Sequence, residues 1–255
     1  MEIRVLPTGK DFNAMIPDDC SEVCFLKDDC IGINYSRVKS KFIVSSKFPI
    51  YANSDCSGMF QNKVKLRYIR FNNFNTVNVV NMCGMFSGAE RLNSIRSGKW
   101  LTDNVIDMSH MFERCFSLKN VSLSGWNTDK VKDMSYMFSY CISLDNIKMG
   151  KFNTSEVRNM HNMFEQCTNL KTVKISANRP VDTSGMFLQC RKLSDLSNVK
   201  INMEGVINAS FMFYNCACLK NIDIAKWNIN KVKYTTKMFY GCKVLKKYNT
   251  IDLNS

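Results

Sequence analysis

Residues 126–149 read WNTDKVKDMSYMFSYCISLDNIKM, and residues 152–175 read FNTSEVRNMHNMFEQCTNLKTVKI. The two segments share a frame centred on a Met-Phe pair. That pair recurs at Met59, Met85, Met111, Met137, Met163, Met186, Met212 and Met238, at intervals of 26 residues except for one of 23 between Met163 and Met186. Seven positions after each anchor methionine stands Leu66, Leu92, Leu118, Leu144, Leu170, Leu193, Leu219 or Leu245. Self-similarity at a fixed period of this size marks copies that stack on one another. The short interval falls across ISANRPVDTSGMF, where the Trp-Asn-Thr portion is missing and Pro180 enters. A tighter turn and a bend are expected there.

Each copy carries two periodicities in succession. In the third, Met108, Met111, Phe112 and Cys115 follow i, i+3, i+4, i+7, the apolar stripe of a short helix. Leu118, Val121 and Leu123 then switch toward the alternation of a strand. One such unit cannot bury both faces alone, whereas stacked units share a continuous core. The expectation is a parallel strand ladder on one side and helical turns on the other. Working outward, residues 1–55 carry no Met-Phe anchor, and Ile3–Leu6, Val23–Leu26 and Lys41–Val44 read as short strands. Residues 1–55 are therefore expected to form a strand-rich cap over the first core edge, with residues 56–255 as the array.

The frame Asn-Thr-x-x-Val-x-Asp-Met-Ser-x-Met-Phe-x-x-Cys-x-x-Leu is carried in the clearest copy by Asn127, Thr128, Val131, Asp133, Met134, Ser135, Met137, Phe138, Cys141 and Leu144. It resembles the BspA-like 26-residue repeat, a variant leucine-rich repeat named for bacterial surface proteins. The resemblance covers roughly residues 56 to 250 and extends to the opening segment YANSDCSGMF. It implies an α/β, leucine-rich-repeat-like solenoid of about eight short helix-strand repeats, used for binding and often found in surface adhesins.

The chain has 255 residues, 45% hydrophobic and 22% charged, which are the proportions of a folded globular protein. Much of its excess of Cys, Met and Phe belongs to the repeat. Cys115, Cys141, Cys167, Cys190, Cys216 and Cys242 all stand four residues after an anchor, and read as buried free thiols. Zinc knuckles would need CxxC pairs, which this spacing does not provide. Cys20, Cys24 and Cys30 likewise match no zinc pattern. With two histidines, and no Gly-rich phosphate loop, neither an enzyme nor a cofactor is expected. The recurrent Asp107 and Asp133 read as helix-start caps or turn residues. No run approaches a membrane span, and the start MEIRVLPTGKDF shows no secretory segment. A cytoplasmic location is expected, or the cell surface if an export signal has been removed.

Charge is unevenly placed. Of a net +13, residues 1–55 hold 7 basic and 8 acidic side chains, with a cluster at Asp18, Asp19, Glu22, Asp28 and Asp29. Residues 56–255 hold 28 basic and 14 acidic. Eleven residues after the first five anchors come Arg70, Arg96, Ser122, Lys148 and Lys174, at a position expected to face outward from the strands. Lys99, Lys151 and Lys226 form a second column, and Arg67, Lys119, Lys171 and Lys220 a third. The expected function is that of a non-enzymatic protein-binding scaffold for an acidic partner surface. Its expected contact line is Arg70, Arg96, Lys148 and Lys174, flanked by Arg67, Lys99, Lys119 and Lys151. Nucleic acid is the second expected partner, because the aromatic column Phe74, Trp100, Trp126, Phe152 and Trp227 reads as core packing rather than a base-stacking platform.

Overall fold

The computed structural model describes residues 5–29, 31–97, 100–149, 152–220, 222 and 227–245. Ile3, Cys30, Lys99, Lys151 and Lys226, singled out above, lie outside the described residues.

The apolar spacing around each anchor does not produce a helix. In the fourth copy the N–H groups of Met134, Tyr136, Phe138 and Tyr140 donate across to the carbonyls of Asn159, His161, Met163 and Glu165 in the next copy, at 2.7–3.0 Å. The intervening N–H groups of Met137, Ser139 and Cys141 turn back to the carbonyls three residues earlier. Half of the donors thus serve the neighbouring copy, whereas an α-helix would turn every one inward. Backbone conformation enforces the same outcome. In all eight copies the residue before the anchor methionine and the residue three after it have positive φ, as at Tyr136 (55°) and Tyr140 (60°). A left-handed residue at every fourth position cannot continue a right-handed helix.

The expected α/β solenoid of helix-strand repeats is therefore corrected. Each copy is a coil of tight turns, and the first six carry short strand segments among the described residues. Among the described residues the one α-helix, α1 (Gly9–Met15), lies in the N-terminal segment, and a single 3-10 turn occupies Met203–Gly205. Short strands complete the coils: β1 (Glu22–Lys27), β2 (Asn34–Val38), β3 (Lys41–Ser46), β4 (Ile50–Tyr51), β5 (Tyr68–Phe71), β6 (Phe74–Asn75), β7 (Ser94–Ser97), β8 (Asn120–Ser122), β9 (Asn146–Lys148), β10 (Ile175–Ala177) and β11 (Val199–Ile201).

Single residues of successive coils join in parallel bridges, running Asp55, Asn81, Asp107, Asp133, Asn159, Asp182, Asn208 and Tyr234. The recurrent Asp or Asn has a local task. Its side-chain oxygen accepts the N–H two residues on, as Asp107 does from Ser109 and Asp133 from Ser135, both at 2.8 Å. Asp107 and Asp133 thus close turns and cap no helix. The Asn-Thr pair acts between coils. Thr102 and Thr128 are buried, and their hydroxyls donate to the carbonyls of Asn127 and Asn153 in the following coil, each at 2.7 Å.

Inside the coils the anchor phenylalanines Phe60, Phe86, Phe112, Phe138, Phe164, Phe187, Phe213 and Phe239 form one stack. Centroid spacings are 5.2–5.6 Å and interplanar angles 2–12°. Each aromatic contact adds about 0.5–1.5 kcal/mol beyond burial of the rings themselves. Beside the stack, the thiols of Cys115, Cys141, Cys167, Cys190, Cys216 and Cys242 donate to phenylalanine carbonyls of the preceding coil at 3.0–3.2 Å. Burial pushes the first five of these thiols far above the ordinary range for cysteine. The thiolate is the reactive form, so they should be inert in the folded chain. A thiol reagent at neutral pH should label exposed Cys218 well before Cys141. Equal labelling rates at the two positions would contradict this packing.

At the N-terminal end, β1 pairs in parallel with both β3 and β5, and β5 with β7, giving the order β2-β3-β1-β5-β7. The sheet therefore runs without interruption across residue 55. Phe12 of α1 meets Phe60 edge-on at 6.1 Å and closes the first face of the ring stack. The strand reading of the N-terminal segment did not include α1, whose Thr8 cap accepts from the Asp11 N–H.

Candidate functional site

The acidic cluster near the N-terminus is largely consumed by contacts within the chain. Asp19 pairs with Arg37. Glu22 on β1 lies 3.2 Å from Lys41 Nζ and 2.9 Å from Arg70 Nε. Asp18 lies 2.9 Å from Lys63 Nζ, whose ammonium also donates to the Ile16 carbonyl at 2.7 Å, and this holds the Asp18 carboxyl below its ordinary range. Lys63 occupies the position that the third to eighth coils give to the column cysteine. In the first coil, that buried site is used to reach the N-terminal segment.

The nominated basic residues fall on the strand side. Arg70 and Arg96 are direct register partners on β5 and β7, and both are exposed. Lys148, also exposed, stands opposite Ser122 on the β8–β9 pair. Lys174 is exposed just before β10, and Arg67 and Lys119 are exposed before β5 and β8. Lys99 and Lys151 lie outside the described residues. Lys200 was missed: it is exposed on β11 opposite Ser176, fourteen residues after Met186, which places it in the second basic column between Lys151 and Lys226.

Electrostatically the line is not uniform. Arg70 is tied to Glu22, while Arg67, Arg96, Lys119, Lys148, Lys174 and Lys200 form no ion pair among the described residues. Like charges in register on neighbouring strands repel. The pairing of Arg70 with Arg96 is relieved on one side only, by Glu22.

Between β7 and β8 the parallel sheet parts. β7 ends the five-stranded sheet and β8 begins a separate pair with β9. A cleft of about 520 Å³ opens there, floored by Trp100, Phe112, Leu118, Leu123 and Trp126. Arg96 and the polar side chains of Ser94, Asn120, Ser122 and Ser124 also line it. The two tryptophans stack at 5.2 Å, and Trp100 meets Phe71 edge-on at 5.0 Å. Trp100 is 3% exposed, and its indole N–H has no hydrogen-bond acceptor among the described residues. A buried donor left so costs about 1–3 kcal/mol.

The two histidines lie on the turn side. His110 Nδ1 sits 2.9 Å from the Glu113 carboxylate, and its ring stacks on Tyr136 at 4.7 Å. The hydrogen bond to Glu113 holds the imidazole pKa above its ordinary 6.5. His161 bridges the Ser184 hydroxyl at 2.6 Å and the Tyr136 hydroxyl at 2.9 Å. Ser184 is itself buried and bonded to Asp182. These contacts link coils to one another. Among the described residues no three His, Cys, Asp or Glu side chains gather as a metal site.

Residues 54–178 and 174–254 match the family described as "Mycoplasma protein of unknown function, DUF285". The chain belongs to that family. The DUF285 match replaces the resemblance to the BspA-like leucine-rich repeat, so the frame carried by Asn127 through Leu144 is assigned to DUF285. The first DUF285 match begins at Ser54, one residue before the bridge column starts at Asp55. The second begins at Lys174, where the 23-residue interval lies. No curated protein and no solved structure matches the chain. Among the described residues no helix is long and apolar enough to cross a membrane.

Proposed function

We propose that this chain is a non-enzymatic protein-binding scaffold that engages an acidic partner surface through its basic strand face. The observation that carries this reading is a row of exposed cations on the strand side. Arg96, Lys119, Lys148, Lys174 and Lys200 are exposed there and have no carboxylate partner among the described residues. Unscreened like charge along one face is better accommodated by an external anion than by water alone, and it speeds encounter with an acidic surface.

Nucleic acid is disfavoured by the aromatic column. Phe74, Trp100 and Trp126 are at most 9% exposed, and Phe152 and Trp227 are partly buried against the core, so the column does not stand out as an open platform for successive bases. The test is the Arg96→Glu/Lys148→Glu double variant in nuclease-treated affinity capture from the native host at low salt. It should lose the parent's bound protein while keeping a thermal midpoint close to the parent's. Undiminished capture by the double variant would place the contact elsewhere. A partner removed by nuclease would identify a nucleic-acid binder.

A further inference from the structure

We propose that the cleft between β7 and β8 is a binding site for a small amphipathic carboxylate. The apolar body would rest on the floor formed by Trp100, Leu123 and Trp126, and the carboxylate would meet Arg96. Four observations converge on this class of ligand. The cleft, at about 520 Å³, has the size of a small-molecule site. Its floor is aromatic and aliphatic. Among the described residues its lining contains one cation, Arg96, and no Asp or Glu, so the ligand it complements is an anion. The Trp100 indole N–H, among the floor side chains, is a buried donor without an acceptor among the described residues, which a ligand oxygen would supply on a small shift of the ring.

A second cleft, of about 640 Å³ beside β11, sharpens the choice. It too has a tryptophan, Trp227, and a strand cation, Lys200, but Asp195 also lines it. A carboxylate there would face a like charge. The selectivity for an anion therefore belongs to the β7–β8 cleft. This proposal does not depend on the acidic-partner reading, although both use Arg96.

The full chain is titrated with 1-naphthoate, and with uncharged 1-naphthalenemethanol for comparison, while the three indole N–H resonances are followed by NMR. Naphthoate should shift the Trp100 resonance saturably and bind more tightly than the alcohol. Arg96→Gln should weaken naphthoate roughly tenfold or more, and bring its affinity down to that of the alcohol. Trp100→Phe keeps an aromatic ring but lacks the donor, and should also weaken naphthoate in intrinsic fluorescence from Trp126. Circular dichroism and the thermal midpoint establish that each variant is folded. No saturable shift up to the solubility limit would overturn the proposal, as would equal binding of acid and alcohol by the parent. If naphthoate fails but the Arg96→Glu/Lys148→Glu variant still loses its protein partner, the cleft alone is refuted. Loss of naphthoate binding in Trp100→Phe with partner capture intact supports the cleft as a separate site.

Discussion

Phe138→Ala should lower the unfolding free energy by about 4 kcal/mol, the typical loss for a large aromatic removed from a packed core. Phe138 is fully buried and stacks on Phe112 at 5.3 Å and on Phe164 at 5.6 Å, so truncation removes both contacts and leaves a void between coils. The void cannot close easily. The hydrogen bonds of Phe138 N–H to Met163 and of Phe112 N–H to Met137, both 2.9 Å, hold the coils at fixed separation. Phe138→Leu should lose less, because most of the volume is retained. Urea unfolding measures both variants. A loss below about 1 kcal/mol for the alanine variant would mean that the ring stack contributes little.

Gly9→Ala is expected to be nearly as damaging although it adds one carbon. A Cβ at Gly9 would lie 2.3 Å from the Ser57 carbonyl oxygen and 2.5 Å from the Cys56 carbonyl carbon. Both obstacles are backbone, so no rotamer change relieves them. The Gly9 N–H also donates to the Asp55 carbonyl at 2.8 Å, and Asn13 donates to the Gly58 and Gln61 carbonyls at 2.9 Å. Helix α1 is therefore held against the first coil and must lift to admit a methyl group. Lifting it carries Phe12 away from Phe60, which uncovers the end of the ring stack. A loss of about 3 kcal/mol is expected for such overpacking. Faster hydrogen exchange at Phe60 should accompany it. Gly125→Ala, where nothing lies within 4 Å of the added carbon, is the near-neutral control.

The repeat was fully legible in the sequence, and so was the inward direction of Phe138, Cys141 and Leu144. All three are buried where the periodicity placed them. The helix was misread because two successive tight turns also bring residues three and four apart onto one side. The corrective signal was present in the residues flanking the anchors. Gly58, Asn62, Gly84, Gly88, Asn162, Gly185, Asn215 and Gly241 occupy the left-handed positions, and glycine and asparagine are the residues that adopt such φ most readily. Tyr136, Tyr140 and Phe211 hide that pattern by occupying the same positions with bulky side chains.

The basic columns were countable from sequence, but Glu22 beside Arg70 was not. That contact exists because β1 enters the sheet next to β5, across 48 residues of chain. The cleft was also beyond reach. It arises from a missing pairing between two strands, and hydrophobic spacing records which residues are apolar, not which neighbours separate.

The bridge column is indifferent to the shorter copy. Three residues are missing between Met163 and Met186, yet Asn159 still bridges Asp182, and Phe164 still stacks on Phe187 at 5.5 Å. Length differences are absorbed outside the bridges, and at the bridge column each coil offers its successor the same backbone pairing that it received. Duplication or loss of one whole period in the gene would therefore keep the backbone bridges at both junctions. Reach becomes a heritable quantity, adjusted in discrete steps by copy number without redesign of the fold.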